Sequence, residues 1–430
     1  MDRQATGRED GYRPRIVDGE LDELLGGLPA ISIEGAKAVG KTATALRRAA
    51  SAYRLDGAAE RSLVEADPGR LREAEKPTLI DEWQRLPESF DRVRRAVDDG
   101  AGPGSFILTG SATPTDLPTH SGAGRIVRVR MRPMTLVERG VAAPTVSLAE
   151  LLDSGRTRLD GETGVRLETY VEEILNSGFP GLRDLPSRLI RAQLDGYVDH
   201  IVEREFEELG RKVRRPATLR RWMAAYAAAT ATTASFERIR DAATGDEVEK
   251  PSRATALAYR DILERLWVLD PLPPWLPTRN QLRRLASPSK HHLVDPSLAA
   301  RLLGMDADAL LRAAPASPAV MRDGPLLGTL FESLVTQSVR VYAQRAEARV
   351  GHLRTRSGEH EIDLIVERGQ SIVAIEVKLG VPTDRDVRHL LWLREKLGDE
   401  LADAVVVTTG EYAYRRKDGI AVVPLALLGP

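Results

Sequence analysis

A chain of 430 residues, 42% hydrophobic and 29% charged, has a globular composition and enough length for about three domains. A net charge of −1 provides no global field for polyanions, so any nucleic-acid contact must come from local basic patches. The absence of cysteine excludes disulfides and thiolate metal sites, and seven scattered histidines argue against zinc. No apolar run reaches the length of a membrane span, and the opening MDRQATGREDGYRPR has no apolar leader core, so a cytoplasmic protein is expected.

Residues 31–46, ISIEGAKAVGKTATAL, organise the first part of the chain. Alternating Ile31 and Ile33 predict a strand, and a helix-forming run follows Gly35-Ala36-Lys37-Ala38-Val39-Gly40-Lys41-Thr42. That is G-x-x-x-x-G-K-[ST] between a strand and a helix. The glycines permit a tight turn whose successive N–H groups point at phosphate oxygens, and the new helix adds its positive end. These residues, with Ala43, are the expected nucleotide contacts. Lys41 is expected to reach the β and γ phosphates and Thr42 to take one place on Mg²⁺. ATP and magnesium are therefore the expected cofactors.

Downstream, PTLIDE at 77–82 is a short apolar run ending in two acids. A strand ending at Asp81 sets its carboxylate beside Thr42, where it can hold Mg²⁺, and leaves Glu82 to orient or deprotonate the attacking water. The strand 105–109 ends in Thr109-Gly110-Ser111, making Thr109 and Ser111 candidates for contact with the γ-phosphate or the water. Arg125 in SGAGRIVRV is either a cation for the γ-phosphate or the start of the strand 126–131.

GAKAVGKT, LIDEWQ, ILTGSAT and GAGRIVRVRMRPMTLVERG, in that order, resemble bacterial and archaeal AAA-type ATP-binding proteins that carry a C-terminal domain of unknown function. The resemblance implies a Walker A loop at 35–42, Walker B acids at Asp81 and Glu82, and a sensor-like turn at 109–111. Trp83 departs from the smaller apolar residue common in that family.

In the middle, apolar residues at helical spacing, among them Ile190, Leu194, Val198, Ile201 and Phe206, predict scaffold helices around a turn at 176–181. The densest basic run is Arg211-Lys212-Val213-Arg214-Arg215, with Arg220 and Arg221; it is either a solvated face or a phosphate contact. Helices at 233–242 and 252–266 behind Ser/Thr caps, then strands 267–269 and 290–294 across a Pro-rich loop, match a winged-helix plan. In that plan Arg253 and Arg260 lie on the second helix, and Arg279, Arg283, Arg284, Lys290 and His291 decorate the hairpin for DNA contact or, alternatively, a protein contact.

The last part brings a second set of acids. Asp363 opens an apolar strand, a turn at 368–370 reverses the chain, and Glu376 and Lys378 lie two apart on the next strand, hence on one face. Two carboxylates can hold Mg²⁺ and the lysine can activate a water for attack on a phosphodiester. Glu332 on the helix 327–342 can add a third acid. The order resembles the PD-(D/E)XK nuclease superfamily. The resemblance implies Asp363 and Glu376 as metal ligands, Lys378 as catalytic and Glu332 as a supporting acid, or else a retained fold that binds without cutting.

The expected architecture is thus α/β and multidomain: an AAA-type P-loop NTPase domain at 1–150, a helical and winged-helix-like domain at 151–320, and a restriction-endonuclease-like α/β domain at 321–430. The first 15 or so residues are expected to be a flexible arm. The expected activity is ATP hydrolysis with Mg-dependent, nuclease-like chemistry on nucleic acid, DNA ahead of RNA. The alternative is a nucleotide-switched regulatory or defence protein that does not cleave. No arginine can be assigned to a neighbouring subunit's site, so oligomerisation stays open.

Overall fold

Five short segments build the first sheet: β1 (Ala30–Glu34), β2 (Ser51–Arg54), β3 (Thr78–Asp81), β4 (Phe106–Gly110) and β5 (Val127–Arg130). The computed structural model describes residues 11–112, 123–154, 159–211, 213, 215–244, 250–276, 288–312, 326–355 and 358–430. The strands lie in the order β2-β3-β4-β1-β5, and every neighbouring pair is parallel. β1, β3 and β4 are buried along their whole length, as central strands covered on both faces must be. Alternate side chains feed opposite layers. Ile31, Ile33, Leu79 and Ile107 pack toward α1 (Val17–Gly27) and α2 (Lys41–Leu46). Ala30, Ile80, Phe106 and Leu108 pack with Val64 of α3 (Ala58–Ala66), Leu71 of α4 (Arg70–Glu73) and Phe90 of α5 (Glu88–Asp98). Because all five strands run the same way, their C-terminal ends share one edge. β4 lies between β1 and β3 there.

The second sheet takes its outermost strand from a part of the sequence assigned to another domain. β6 (Val146–Ser147), α6 (Leu148–Ser154) and β7 (Gly161–Glu162) follow the first sheet directly. A helical middle comes next: α7 (Leu167–Leu175), α8 (Ser187–His200), a π-helical turn at Ile201–Glu205, α9 (Phe206–Glu208), α10 (Pro216–Ala228), α11 (Phe236–Ala242), α12 (Arg253–Arg265), α13 (Pro296–Leu302) and α14 (Ala307–Leu311). The chain ends with α15 (Leu326–Arg345), β8 (Arg349–Arg354), β9 (Glu361–Arg368), β10 (Ser371–Lys378), α16 (Arg388–Leu397), β11 (Leu401–Thr408), β12 (Tyr412–Arg415), β13 (Ala421–Pro424) and β14 (Leu428–Gly429). Seven strands form a mixed sheet, β7-β12-β13-β11-β10-β9-β8, with β10, β11 and β13 parallel. Leu364, Val366, Val373 and Ile375 face the layer that contains α15, while Ile365, Ile372 and Ala374 face Leu390 and Leu393 of α16. β14 pairs with β6, and Leu152 of α6 accepts a hydrogen bond from Ser371. The expected domain break near residue 150 therefore does not follow the packing. The segment from β6 to β7 joins the C-terminal layers because β12 otherwise presents an open edge that β7 pairs. No helix among the described residues is long and apolar enough to cross a membrane.

Serine caps do open the two middle helices, which begin at Phe236 and Arg253 rather than at 233 and 252: Ser235 accepts from the Arg238 N–H and Ser252 from the Thr255 N–H. The predicted hairpin forms as two antiparallel bridges, Leu269–Leu293 and Leu272–Lys290, and Pro274 bridges onward to His352 in β8. Its described strand residues are packed into the protein rather than turned to solvent. Lys290 and His291, expected to decorate it for an external partner, are 1% and 3% exposed. Glu332 of α15 and Asp363 of β9 close around Lys290, and Tyr226 of α10 and Phe236 of α11 pack on His291. Arg279, Arg283 and Arg284 lie outside the described residues.

On the same hairpin, Asp270 receives Arg132 from the strand edge of the first domain at 2.8 Å and Arg340 from α15 at 3.3 Å. Burial works against this carboxylate, but Arg132, Arg340 and Arg130 outweigh it and hold Asp270 far below the ordinary carboxylate range. Asp270→Ala leaves buried guanidinium groups without their anion, and unfolding should become easier by about 3–5 kcal/mol. Calorimetry at neutral pH checks this as a lowered Tm. The ion pair's contribution is full above the unfolded carboxylate pKa of about 4 and is lost as pH falls below it, so the gap between wild type and Asp270→Ala should narrow toward acid.

Candidate functional site

The loop after β1 can bend as it does only with small residues. A Cβ on Gly35 would sit 2.2 Å from the Met131 carbonyl oxygen, and Gly40 adopts φ +101° at the start of α2. Lys41 is 5% exposed, and its Nζ donates to the carbonyls of Gly35 and Ala36 at 2.9 and 2.8 Å. Burial depresses its pKa to about 8, with Glu82 and Asp81 partly opposing the shift. Val39 is buried, and its carbonyl accepts a hydrogen bond from Arg15. Lys37 pairs with Glu205 of the π-helical turn, which also contacts His200 Nε2 at 2.9 Å. The back of the loop is thus docked on the middle domain.

The C-terminal edge of the sheet brings the acids to this loop. Thr42 Oγ1 donates to Asp81 Oδ1 at 2.8 Å, spanning the gap between the ends of β1 and β3. Thr109, at the end of the intervening β4, donates to the same Asp81 oxygen and accepts the Glu82 N–H at 3.3 Å. Glu82 takes a left-handed φ of 54°, which turns it off the strand. Its carboxylate accepts from Ser111 at 2.8 Å and from Gln84. Thr109 and Ser111 are therefore engaged with the two acids. Thr42 and Asp81 offer adjacent hard oxygen donors, the ligand type Mg²⁺ takes, so the residues fit that ion.

Arg125 is elsewhere. It precedes β5, at the N-terminal end of the strand and the opposite edge of the sheet, and pairs with Asp98 of α5 at 2.5 Å. The polarity of a parallel strand rules it out as a γ-phosphate cation. The cation at the functional end of that strand is Arg130, opposite Glu34 in register. Its guanidinium is buried without a hydrogen-bond partner, stacks 3.7 Å from the Trp267 ring, and has its pKa lowered to about 9 by burial.

Sequence reasoning also missed what lies over the loop. Residues 11–15, expected as part of a flexible arm, pack on α2: Tyr12 bonds Asp18 at 2.8 Å and Thr44 at 3.1 Å, and Arg15 bonds Glu138 and the Arg132 carbonyl. A cleft of about 300 Å³ opens there between Tyr12, Arg13, Gly40, Ala43, Arg47 and Pro180. The Arg47 guanidinium lies 4.5 Å above the Tyr12 ring. Sequence spacing carries no signal for this cleft, since Pro180 comes from a turn 140 residues after Gly40.

The second group of acids also assembles, with an addition. Asp363 on β9 and Glu376 on β10 reach the same side of the sheet, and Glu376 accepts from Lys378 at 2.7 Å. Between Asp363 and Glu332 of α15 lies Lys290, whose Nζ donates to Asp363 Oδ1 at 2.9 Å and Glu332 Oε1 at 2.8 Å. Burial and the Asp363 charge push Glu332 up to about 7 and Glu376 up to about 8. Burial alone would raise Asp363 as well, but Lys290 and Lys378 hold it below the usual range.

Comparison with known proteins divides the chain similarly. Residues 28–139 match a family model described as an AAA domain, residues 167–309 a domain of unknown function, DUF8612, and residues 327–428 another, DUF4143. The uncharacterized proteins Rv2008c of Mycobacterium tuberculosis and Mb2031c of Mycobacterium bovis are each 28% identical over 351 residues, covering 80% of this chain and 67% of theirs. Among solved structures, a Walker-type ATPase of Pyrococcus abyssi, PABY2304, aligns with 70% of this chain and 99% of its own at 16% identity and a TM-score of 0.39. Drosophila ORC bound to DNA aligns with 67% of this chain and 94% of its own at 12% identity and a TM-score of 0.23. In its P-loop sequence and its parallel sheet, the N-terminal part of the chain is similar to an AAA domain.

Proposed function

We propose that this protein is an ATP-hydrolysing switch that acts on nucleic acid. The observation that carries the hydrolytic part is the contact of Thr42 with Asp81 across the end of β4, with Glu82 fixed next to it. In this reading Lys41 turns from the Gly35 and Ala36 carbonyls to the β and γ phosphates. Thr42 and Asp81 would hold Mg²⁺, which would supply neutralisation of phosphate charge. Glu82 orients a water and takes its proton, while Ser111 and Gln84 hold the carboxylate in position. Thr109 ties both acids together, so they move as one unit. The cleft beside Tyr12 and Arg47 offers an aromatic and cationic surface for the purine.

Support for the nucleic-acid part comes from an open groove of about 680 Å³ in the middle domain, lined by Arg211, Arg215, Lys250, Thr218, Ser252 and Tyr259. It combines positive charge with an aromatic ring, as phosphate-tracking grooves do. Among the described residues of the basic run, Arg211 and Arg215 line it. Arg220 pairs with Asp199 and Arg221 bonds Thr218, while Lys212 and Arg214 lie outside the described residues.

Lys41→Ala should weaken binding of a fluorescent ATP analogue about 10- to 100-fold, the worth of a hydrogen bond to a charged group. Glu82→Gln should keep binding and lower turnover about 10²- to 10⁴-fold in a phosphate-release assay. Because Lys41 titrates near pH 8 and the phosphates favour its charged form, affinity should be constant below pH 8 and fall above it. Lys41→Arg should remove that fall. In gel shifts with short duplexes, Arg211→Glu with Arg215→Glu should weaken binding and reduce the log–log salt slope by about 2. Unchanged binding would remove the groove from the reading.

A further inference from the structure

Both oxygens of Asp363 are committed within the chain. Oδ1 accepts from Lys290 Nζ at 2.9 Å and Oδ2 from the Val377 N–H at 2.9 Å. Glu332 accepts from the same ammonium at 2.8 Å, and Glu361 lies 3.5 Å from it. Glu376 gives one oxygen to Lys378, and its other oxygen is buried without a hydrogen-bond partner. Lys290 is 1% exposed and is anchored by reciprocal backbone hydrogen bonds with Leu272, at 2.9 and 3.0 Å. An ion ligated by Asp363 Oδ1 must lie about 2.0–2.6 Å from that oxygen. The ammonium already fills that space. Among the described residues, no group of three His, Cys, Asp or Glu side chains is arranged to hold a metal ion. The residues present do not fit the divalent cation that the nuclease resemblance implies.

We propose that Lys290 is a built-in cation that takes the place of a divalent metal in the C-terminal acid cluster. Its hairpin is thereby planted in the cluster, and the domain serves as an anchor that cuts no phosphodiester. Supplied by the chain itself, this cation cannot be chelated away. The ammonium satisfies Asp363 and Glu332 together, which is what makes burial of the two carboxylates tolerable. Lys290 is a positioning residue here: it acts on the acids and through the hairpin. The inference rests on the C-terminal geometry alone and is independent of the nucleotide reading.

The test uses the nucleotide-free full-length chain and Mn²⁺, with binding read by electron paramagnetic resonance and stability by Tm. Wild type should show no Asp363-dependent Mn²⁺ site, no Asp363-dependent rise in Tm with Mn²⁺, and no Mg²⁺- or Mn²⁺-dependent cutting of DNA or RNA. Lys290→Ala should lower Tm, acquire one Mn²⁺ per chain, and regain part of its Tm in Mn²⁺. Adding Asp363→Asn should abolish that acquired site. Mn²⁺ binding or cutting by wild type that is lost in Asp363→Asn overturns the proposal. So does a folded Lys290→Ala protein that gains no metal. If Lys290→Ala does not fold, the wild-type arm decides by itself, because a metal bound at Asp363 and an ammonium at that place are mutually exclusive.

Discussion

One short hairpin carries two buried charges of opposite sign, and the relation among the three parts of the molecule depends on it. On its first strand Asp270 is held between Arg132, just past the end of β5, and Arg340 of α15. On its second strand Lys290 is held between Asp363 of β9 and Glu332 of the same α15. Neither charge can leave its partners without exposing a bare ion to a low-dielectric interior. Buried ion pairs of this kind contribute less to net stability than to the choice of one arrangement over its competitors. Here they set how the hairpin sits against both sheets.

The nucleotide loop touches the same framework at two other places. Lys37 pairs with Glu205 in the π-helical turn after α8, and Arg130 stacks on Trp267 at the base of the hairpin. Arg130 contributes to the electrostatics of both Lys41 and Asp270. A change of charge at the loop is therefore felt by the hairpin over short distances, through groups with few neutralising partners. Glu82 is fastened to Ser111 and Gln84 at the mouth of the sheet.

Much of the candidate nucleotide site was legible because its determinants are local. Gly35 to Thr42 must be contiguous to wrap phosphates, and Asp81 and Glu82 announce themselves as acids ending an apolar run. Thr109 and Ser111 were legible as the polar end of the next strand, although their partners were not. The two readings of Arg125 stayed open for a simple reason: the strand was recognised, but its direction relative to β1 decides which end meets the loop. Only the parallel register, with Glu34 opposite Arg130, settles that. Tyr12, Arg47 and Pro180 form one cleft from three distant segments, and no periodicity joins them.

The C-terminal cluster separates the two sources of information further. By itself the sequence determined that strands at β9 and β10 are apolar runs, that Glu376 and Lys378 share a face, and that a long helix carries Glu332. Those are consequences of a two-residue strand period and of chain-local hydrophobicity. It also determined the phosphate loop, since glycine conformations and a Lys-Thr pair at the start of a helix need no distant partner. Only the tertiary structure decided where Lys290 goes. A lysine in a polar, proline-flanked hairpin reads as a solvent-facing cation because an unpaired ammonium is costly to bury. That cost vanishes only when carboxylates from elements 42 and 73 residues further along the chain close around it. Long-range charge pairing leaves no local trace, and it is what turns a surface residue into the centre of a buried site.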